Sequence, residues 1–225
     1  MVYSGASFGS AAVYIPQHFE EKRPDILARA IRDIQFAVLV TAVDGEYFAS
    51  HLPAVLKQTN GAFTLEAHVA RANQHWKVLG SRPASLAVFQ GAQTYVSPSW
   101  YESKRQHGRV VPTWNYVVVH AHGALETIED RDWLLAHLQD LVTANEGRRE
   151  QPWAISDAPA DFIHGMSQAI VGLRLTVDRL EGKWKMNQNR SQADRAGTLA
   201  GLSASPKPED QAVAAIMRTL EMPQS

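Results

Sequence analysis

The densest run of chemistry-bearing side chains lies at residues 95–116, YVSPSWYESKRQHGRVVPTWNY. Tyr95, Trp100, Tyr101, Trp114 and Tyr116 share it with Lys104, Arg105 and Arg109, and with Pro98 and Pro112. Rings offer flat apolar faces, and guanidinium or ammonium groups pair with phosphate. This mixture therefore suits a planar anionic ligand. A contact between two subunits selects the same residue types.

A second cluster, His68, Arg71, Asn73, His75 and Trp76, falls where an alternating run passes into one of helical character. Free N–H groups at a helix start, with an Arg and an Asn beside them, suit a phosphate. A solvated helix start with a packed Trp76 fits the same spacing. His51 stands in Ser50-His51-Leu52-Pro53. Pro53 cannot donate to a ladder, so that part of the strand is expected to lack a partner on one side and to border a groove. His120 and His122, two apart on one strand, share a face. A metal site needs further ligands, and none has a matching spacing. Residues 182–190 set Lys183, Lys185 and Arg190 beside Trp184, Asn187, Gln188 and Asn189. A ligand phosphate, a partner subunit or a nucleic acid could each use that set. The dinucleotide, P-loop, zinc-protease and nucleophile-elbow motifs are absent, and no carboxylate pair stands out, so no catalytic residue is assigned.

The elements that position these residues follow from periodicity and turn signals. A helix is predicted over 18–34, with Pro24 in its first turn and Ile26, Leu27, Ala30, Ile31 and Ile34 at helical spacing. Strands are predicted at 36–42 and 47–56 around Asp44-Gly45, and at 62–69 after Asn60-Gly61. A short helix is expected at 70–79, a strand at 85–90, a turn at Gly91 and a returning strand at 92–97. Residues 101–108 read as a polar excursion. The run 113–127 is strongly β-prone, with Val117, Val119, Ala121, Gly123 and Leu125 on one face, and Gly123 could mark a bulge. A helix at 130–146 has Asp130 as N-cap; a short helix at 161–168, a strand at 169–180 and a tail helix at 209–221 complete the pattern. The count of roughly seven strands with hairpin-length links argues for an antiparallel barrel or sandwich with peripheral helices.

The chain has 225 residues and a net charge of -1, so no global field favours nucleic acid or an anionic membrane. It has no Cys, which excludes disulfides, thiolate metal sites and thiol catalysis. No apolar run approaches the roughly 20 residues of a membrane span. The first 12 residues lack the build of a signal peptide. A cytoplasmic protein is expected, with an N-terminal extension at 1–12, a main domain at 13–202 and a tail at 203–225.

Several runs resemble the PaiB-like family, whose members are described as FMN-binding negative transcriptional regulators. They are YIPQHF at 14–19, ASHLP at 49–53, HVARAN at 68–73, YVSPSWY at 95–101, VPTWNY at 111–116, AIVG at 169–172, and EGKWK at 181–185 with QNR at 188–190. The resemblance runs in unbroken order over about 13–202; Gln74 and Asn187 depart from the family pattern. It implies a mainly β, α+β fold with peripheral helices: an antiparallel Greek-key split β-barrel, working as a homodimer with FMN in a groove between subunits. By analogy, His68, Arg71, Asn73 and Trp76 would hold the phosphate, and Ser50, His51 and Pro53 would flank the isoalloxazine. Trp114, Asn115, Lys183 and Trp184 would approach from the partner or close the rim, with Trp100 and Lys104 over the groove mouth. Trp100 and Trp114 would be largely buried only in the dimer. The implied role is a flavin-linked regulator or sensor, and the alternative is a flavin-dependent oxidoreductase acting on a small molecule. Direct DNA binding has weak support, because the charge is near neutral and no recognition helix is visible.

Overall fold

The computed structural model describes residues 13–80 and 82–221, so the extension at 1–12 and the last residues of the tail lie outside it. The strands are β1 (Glu20–Glu21), β2 (Phe36–Val43), β3 (Glu46–Pro53), β4 (Val55–Thr59), β5 (Ala62–Ala70), β6 (Ala84–Val96), β7 (Thr113–Ile128) and β8 (Ile170–Lys185). The helices are α1 (Pro24–Ile34), α2 (Glu102–His107), α3 (Arg131–Glu146), α4 (Ala160–Gln168), α5 (Gln192–Ala204) and α6 (Pro208–Glu221). They form two compact units. The larger comprises residues 23–91 and 118–180; the smaller comprises residues up to 22, 92–117 and 181 onwards.

The larger unit carries an antiparallel sheet in the order β3-β2-β6-β7-β8-β5-β4. Its two tight hairpins form where the sequence predicts them. Asp44 and Gly45 take φ of 51° and 84°, and Asn60 and Gly61 take the same values. Two successive positive φ angles match the right-handed twist of the flanking strands, and Asn, Asp and Gly adopt them at least cost. The sheet curls without closing: β3 and β5 are far apart in strand order, yet their Cα atoms come within 8 Å. Leu39, Leu52, Leu65, Ala87, Leu125 and Leu173 fill the inside of the curl. Helix α1 begins at Pro24, in the first turn as expected, but residues 17–19 form a separate 3-10 turn rather than its start. It turns Leu27, Ala28 and Ile31 inward. Asp130 caps α3, its side chain accepting from the Trp133 amide.

Other expectations change. The run at 47–56 breaks at Ala54, whose N–H is taken by the Gln35 carbonyl at 2.9 Å. No turn forms at Gly91; β6 runs straight through it, because neighbouring strands hold that backbone extended. Gly123 marks no break in β7; a Cβ there would lie 1.9 Å from the Thr176 carbonyl oxygen, so it permits a close approach to β8. The helix predicted at 70–79 shrinks to a 3-10 turn, His75–Val78.

In the smaller unit, β1 pairs with the end of β8, Glu20 opposite Lys183. Val117, Met186, Leu202, Val213, Ala214 and Met217 form its core, drawing α5 and α6 together. The polar excursion contains α2, and Tyr101 at its start is buried. Among the described residues, no helix is long and apolar enough to cross a membrane.

Candidate functional site

In the larger unit, Ser50 and Asn73 enter a buried hydrogen-bonded chain. The Asn73 amide donates to Ser50 Oγ at 3.1 Å, Ser50 Oγ lies 2.9 Å from His75 Nδ1, and His75 Nε2 lies 2.9 Å from Thr41 Oγ1. Thr41 Oγ1 is 2.7 Å from Ser85 Oγ, which reaches the Pro83 carbonyl at 3.2 Å. Chemistry fixes the direction. A carbonyl only accepts, so Ser85 spends its one proton on Pro83 and accepts from Thr41. Thr41 then accepts from His75 Nε2–H, and Nδ1 accepts from Ser50. His75 is therefore neutral with its proton on Nε2, in keeping with burial, which lowers its pKa. Ser50 and Asn73 are anchored inward; His51, between neighbours facing the other way, is exposed on β3. The path ends at β3, which agrees with the expectation from Pro53, the half-buried last residue of that strand.

The Arg71 guanidinium makes three bonds and stays partly exposed. Its Nε donates to Gln168 O at 3.0 Å, Nη2 to Ile170 O at 3.2 Å and Nη1 to Glu129 at 2.6 Å. Its own carbonyl accepts from Trp76 Nε1 at 2.9 Å, and its guanidinium lies 5.8 Å from the Trp76 ring centre. His68 Nδ1 lies 3.1 Å from Nε2 of His137, whose ring stacks on Trp133. Burial, reinforced by His68 and by Lys57 against the pull of Asp140, brings the His137 pKa down to about 4. His120 and His122 share a face of β7, ring centres 6.2 Å apart.

The smaller unit gathers rings and cations on the ends of β6, β7 and β8. Tyr95 and Trp114 meet edge to face at 6.5 Å, and both remain about half exposed, at 47% and 52%. Lys183 and Lys185 alternate with Trp184 and so share one face of β8. Their ammonium groups lie 5.4 and 5.9 Å from the centre of the Tyr116 ring. Lys183 donates to the Tyr14 carbonyl at 2.8 Å, and Lys185 donates to Thr113 Oγ1 and the Trp114 carbonyl. Burial lowers the Lys185 pKa, and Lys183 and Arg190 push it the same way.

The remaining residues predicted from sequence lie elsewhere in this unit. Asn115 points into the core, where its amide meets Met217 Sδ at 3.6 Å and its buried Oδ1 has no partner. Trp184 is half buried against that core. Trp100 packs on α5, where a Cβ at Gly201 would sit 2.5 Å from its indole. Lys104 is exposed and donates to Ser99 Oγ at 3.2 Å. Thr41, Ser85 and His137 belong to no local motif. Only the β2–β6 register, which sets Thr41 opposite Ser85, brings that pair together.

Over residues 13–179 the chain matches the family described as "Putative FMN-binding domain". It is 26% identical to the Protease synthase and sporulation protein PAI 2 of Bacillus subtilis, over 91% of this chain and 96% of that one. It is 30% identical to an uncharacterised protein of Emericella nidulans, over 84% of this chain and 90% of its relative. Among solved structures, the flavocytochrome Anf3 of Azotobacter vinelandii shares the fold, with a TM-score of 0.52 at 15% identity, covering 79% of this chain and 75% of that one.

Proposed function

The chain belongs to the family of FMN-binding domains, and from that premise we propose that it holds FMN on the ring-and-cation face of the smaller unit. That a flavin is its cofactor follows from membership, whereas the location is our reading. FMN needs flat apolar surface for its ring and cations for its phosphate. The observation that carries the location is Trp114: its ring is half exposed, while its carbonyl holds the Lys185 ammonium. Tyr95 and Tyr116 extend the aromatic surface, and the largely buried Lys183 adds positive charge beneath it. The donor set therefore fits the ligand. Bound FMN supplies a chromophore and a reversible electron acceptor. The residues named bind it and orient it.

We read the molecule further as a split-barrel homodimer that acts as a flavin-linked transcriptional regulator or sensor. Three features support this reading. They are the curled antiparallel sheet of the larger unit, the PaiB-like motifs in order along the chain, and the half-exposed rings of Tyr95 and Trp114. The near-neutral charge argues against tight DNA binding by the chain alone.

The absorbance spectrum of purified protein, before and after adding FMN, tests the central claim. Flavin bands that co-elute with the protein are the expected result; colourless protein that takes up no FMN overturns it. Rapid, repeated reduction of the bound flavin by NAD(P)H would instead make the protein a flavin-dependent oxidoreductase.

A further inference from the structure

We infer that the groove between α3 and the outer face of β4, β5, β7 and β8, in the larger unit, is a second ligand site, and that it takes a small neutral molecule rich in hydroxyl groups, of the sugar class. It takes no support from the flavin-binding reading above.

Alternation along the strands and helical spacing along α3 build the groove. Residues two apart on a strand share a face, so Thr64 stands with Glu66 and Arg174 with Thr176. Register sets Lys57 opposite Thr64, Thr64 opposite Thr176 and Glu66 opposite Arg174. These residues form the floor. Trp133, Ala136, His137 and Asp140 fall at i, i+3, i+4 and i+7 of α3 and form the facing wall. Gly172 lets that wall come close to β8, because a Cβ there would lie 2.2 Å from the Trp133 ring. The space left is about 580 Å³, within the roughly 300–1,000 Å³ of small-molecule sites.

The charges around this space balance. Lys57 pairs with Asp140, Arg174 reaches Glu66 at 3.4 Å and Glu126 at 3.9 Å, and Arg82 reaches Glu126 at 3.5 Å. Three cations meet three carboxylates. An ionic ligand would have to break one of these pairs to be neutralised, whereas a neutral ligand leaves them all in place. Hydrogen-bonding capacity is nevertheless left over. Glu66 is buried, and a carboxylate has sites for about four hydrogen bonds, which one contact at 3.4 Å serves poorly. The Trp133 ring, 5.5 Å from the Arg174 guanidinium, keeps that cation beside it. His137 lines the same groove, and its buried Nδ1 has no partner. A hydroxyl both donates and accepts through one atom. It can give a proton to Glu66, take one from Arg174, and suit His137 Nδ1 in either tautomer. The Ala136 methyl group and the Trp133 ring offer apolar surface to the C–H groups of such a molecule.

Titrations of the whole chain with D-glucose, D-ribose and myo-inositol, followed by tryptophan fluorescence and by calorimetry, test this. At least one of the three should bind saturably. Its phosphate ester should bind at least about tenfold more weakly, because the ester brings a charge that the balanced groove does not match. Thr64→Val keeps shape and removes one floor hydroxyl, and should weaken binding about two- to tenfold, the value of one neutral hydrogen bond. Ala136→Trp fills the groove from an exposed helix position and should abolish binding. Both variants should melt close to the wild-type protein, so that lost binding is not lost fold. Silence from all three sugars, a phosphate ester that binds as tightly as its neutral parent, or binding that persists in Ala136→Trp overturns the inference and leaves the flavin reading standing.

Discussion

Three histidines of the larger unit are held neutral by burial, and this sets how the fold responds to acid. His75, His68 and His137 all have lowered pKa values, His137 reaching about 4 from an ordinary 6.5. Below pH 6.5 the unfolded chain takes up protons on these rings and the folded chain does not, so the unfolded state gains. The stabilisation is complete above pH 6.5 and is lost as pH falls towards 4. For His137 alone the loss amounts to about 3 kcal/mol. Urea unfolding at pH 7 and pH 4.5 should show this slope, and His137→Gln should flatten part of it; a slope unchanged by that substitution would refute the assignment. The hydrogen-bonded chain makes a second prediction at this scale. Thr41→Val keeps shape but strips His75 Nε2–H of its acceptor and Ser85 of its donor, at a cost of about 1–3 kcal/mol of stability. A change within experimental scatter would mean that the chain is not closed in the way its distances imply. Half of this chain was legible in the sequence and half was not. Ser50, Asn73 and His75 stand in recognisable runs, whereas Thr41 and Ser85 are ordinary strand residues until β2 and β6 align. Lys185 was visible beside Lys183, but only the fold shows which oxygens it meets.

At the scale of elements, the strongest local signals survived folding and the weaker ones yielded to their surroundings. Asp44-Gly45 and Asn60-Gly61 specify their turns by backbone preference alone, and both formed. Gly91 permits a turn without requiring one, and strand pairing on its flanks kept β6 extended. The turn at 70–79 shortened because side chains pull it back: Asn73 and His75 to Ser50, and Trp76 to the Arg71 carbonyl. Helix α5 gave little signal, since its sequence QADRAGTLAGLSA is rich in small residues. Those residues are the reason it packs. Gly197 and Gly201 leave room for Trp100, where a Cβ would lie 2.0 Å from the Trp100 carbonyl oxygen and 2.5 Å from its indole. Gly201→Val should therefore cost about 1–3 kcal/mol, the usual range for overpacking, and shift tryptophan emission to the red. Gly165 in α4 is the contrast, because nothing lies within 4 Å of where its Cβ would be. Gly165→Ala should stabilise the protein by roughly 0.4–1 kcal/mol, by restricting the unfolded chain. Thermal melts of the two variants moving in the same direction would refute this account of the helices.

For the whole molecule, the proposed homodimer and the proposed flavin site make a joint prediction. Tyr95 and Trp114 stay half exposed on one face of a single chain, and rings of that size are typical anchors of subunit contacts. If FMN lies against the same face, with the partner closing over it, ligand binding and association share free energy. Each must then strengthen the other. Light scattering behind size exclusion should give about twice the monomer mass, 24.9 kDa, and FMN should lower the protein concentration at which the dimer falls apart. FMN at a hundredfold excess over its dissociation constant should stabilise the fold by about 2.7 kcal/mol, read as a rise in melting temperature. Trp114→Glu puts a carboxylate where both the flat ring and the subunit contact are proposed, so it should weaken dimerisation and FMN binding together. Loss of one with the other intact would separate the two surfaces. The face would then hold the ligand or the partner, but not both.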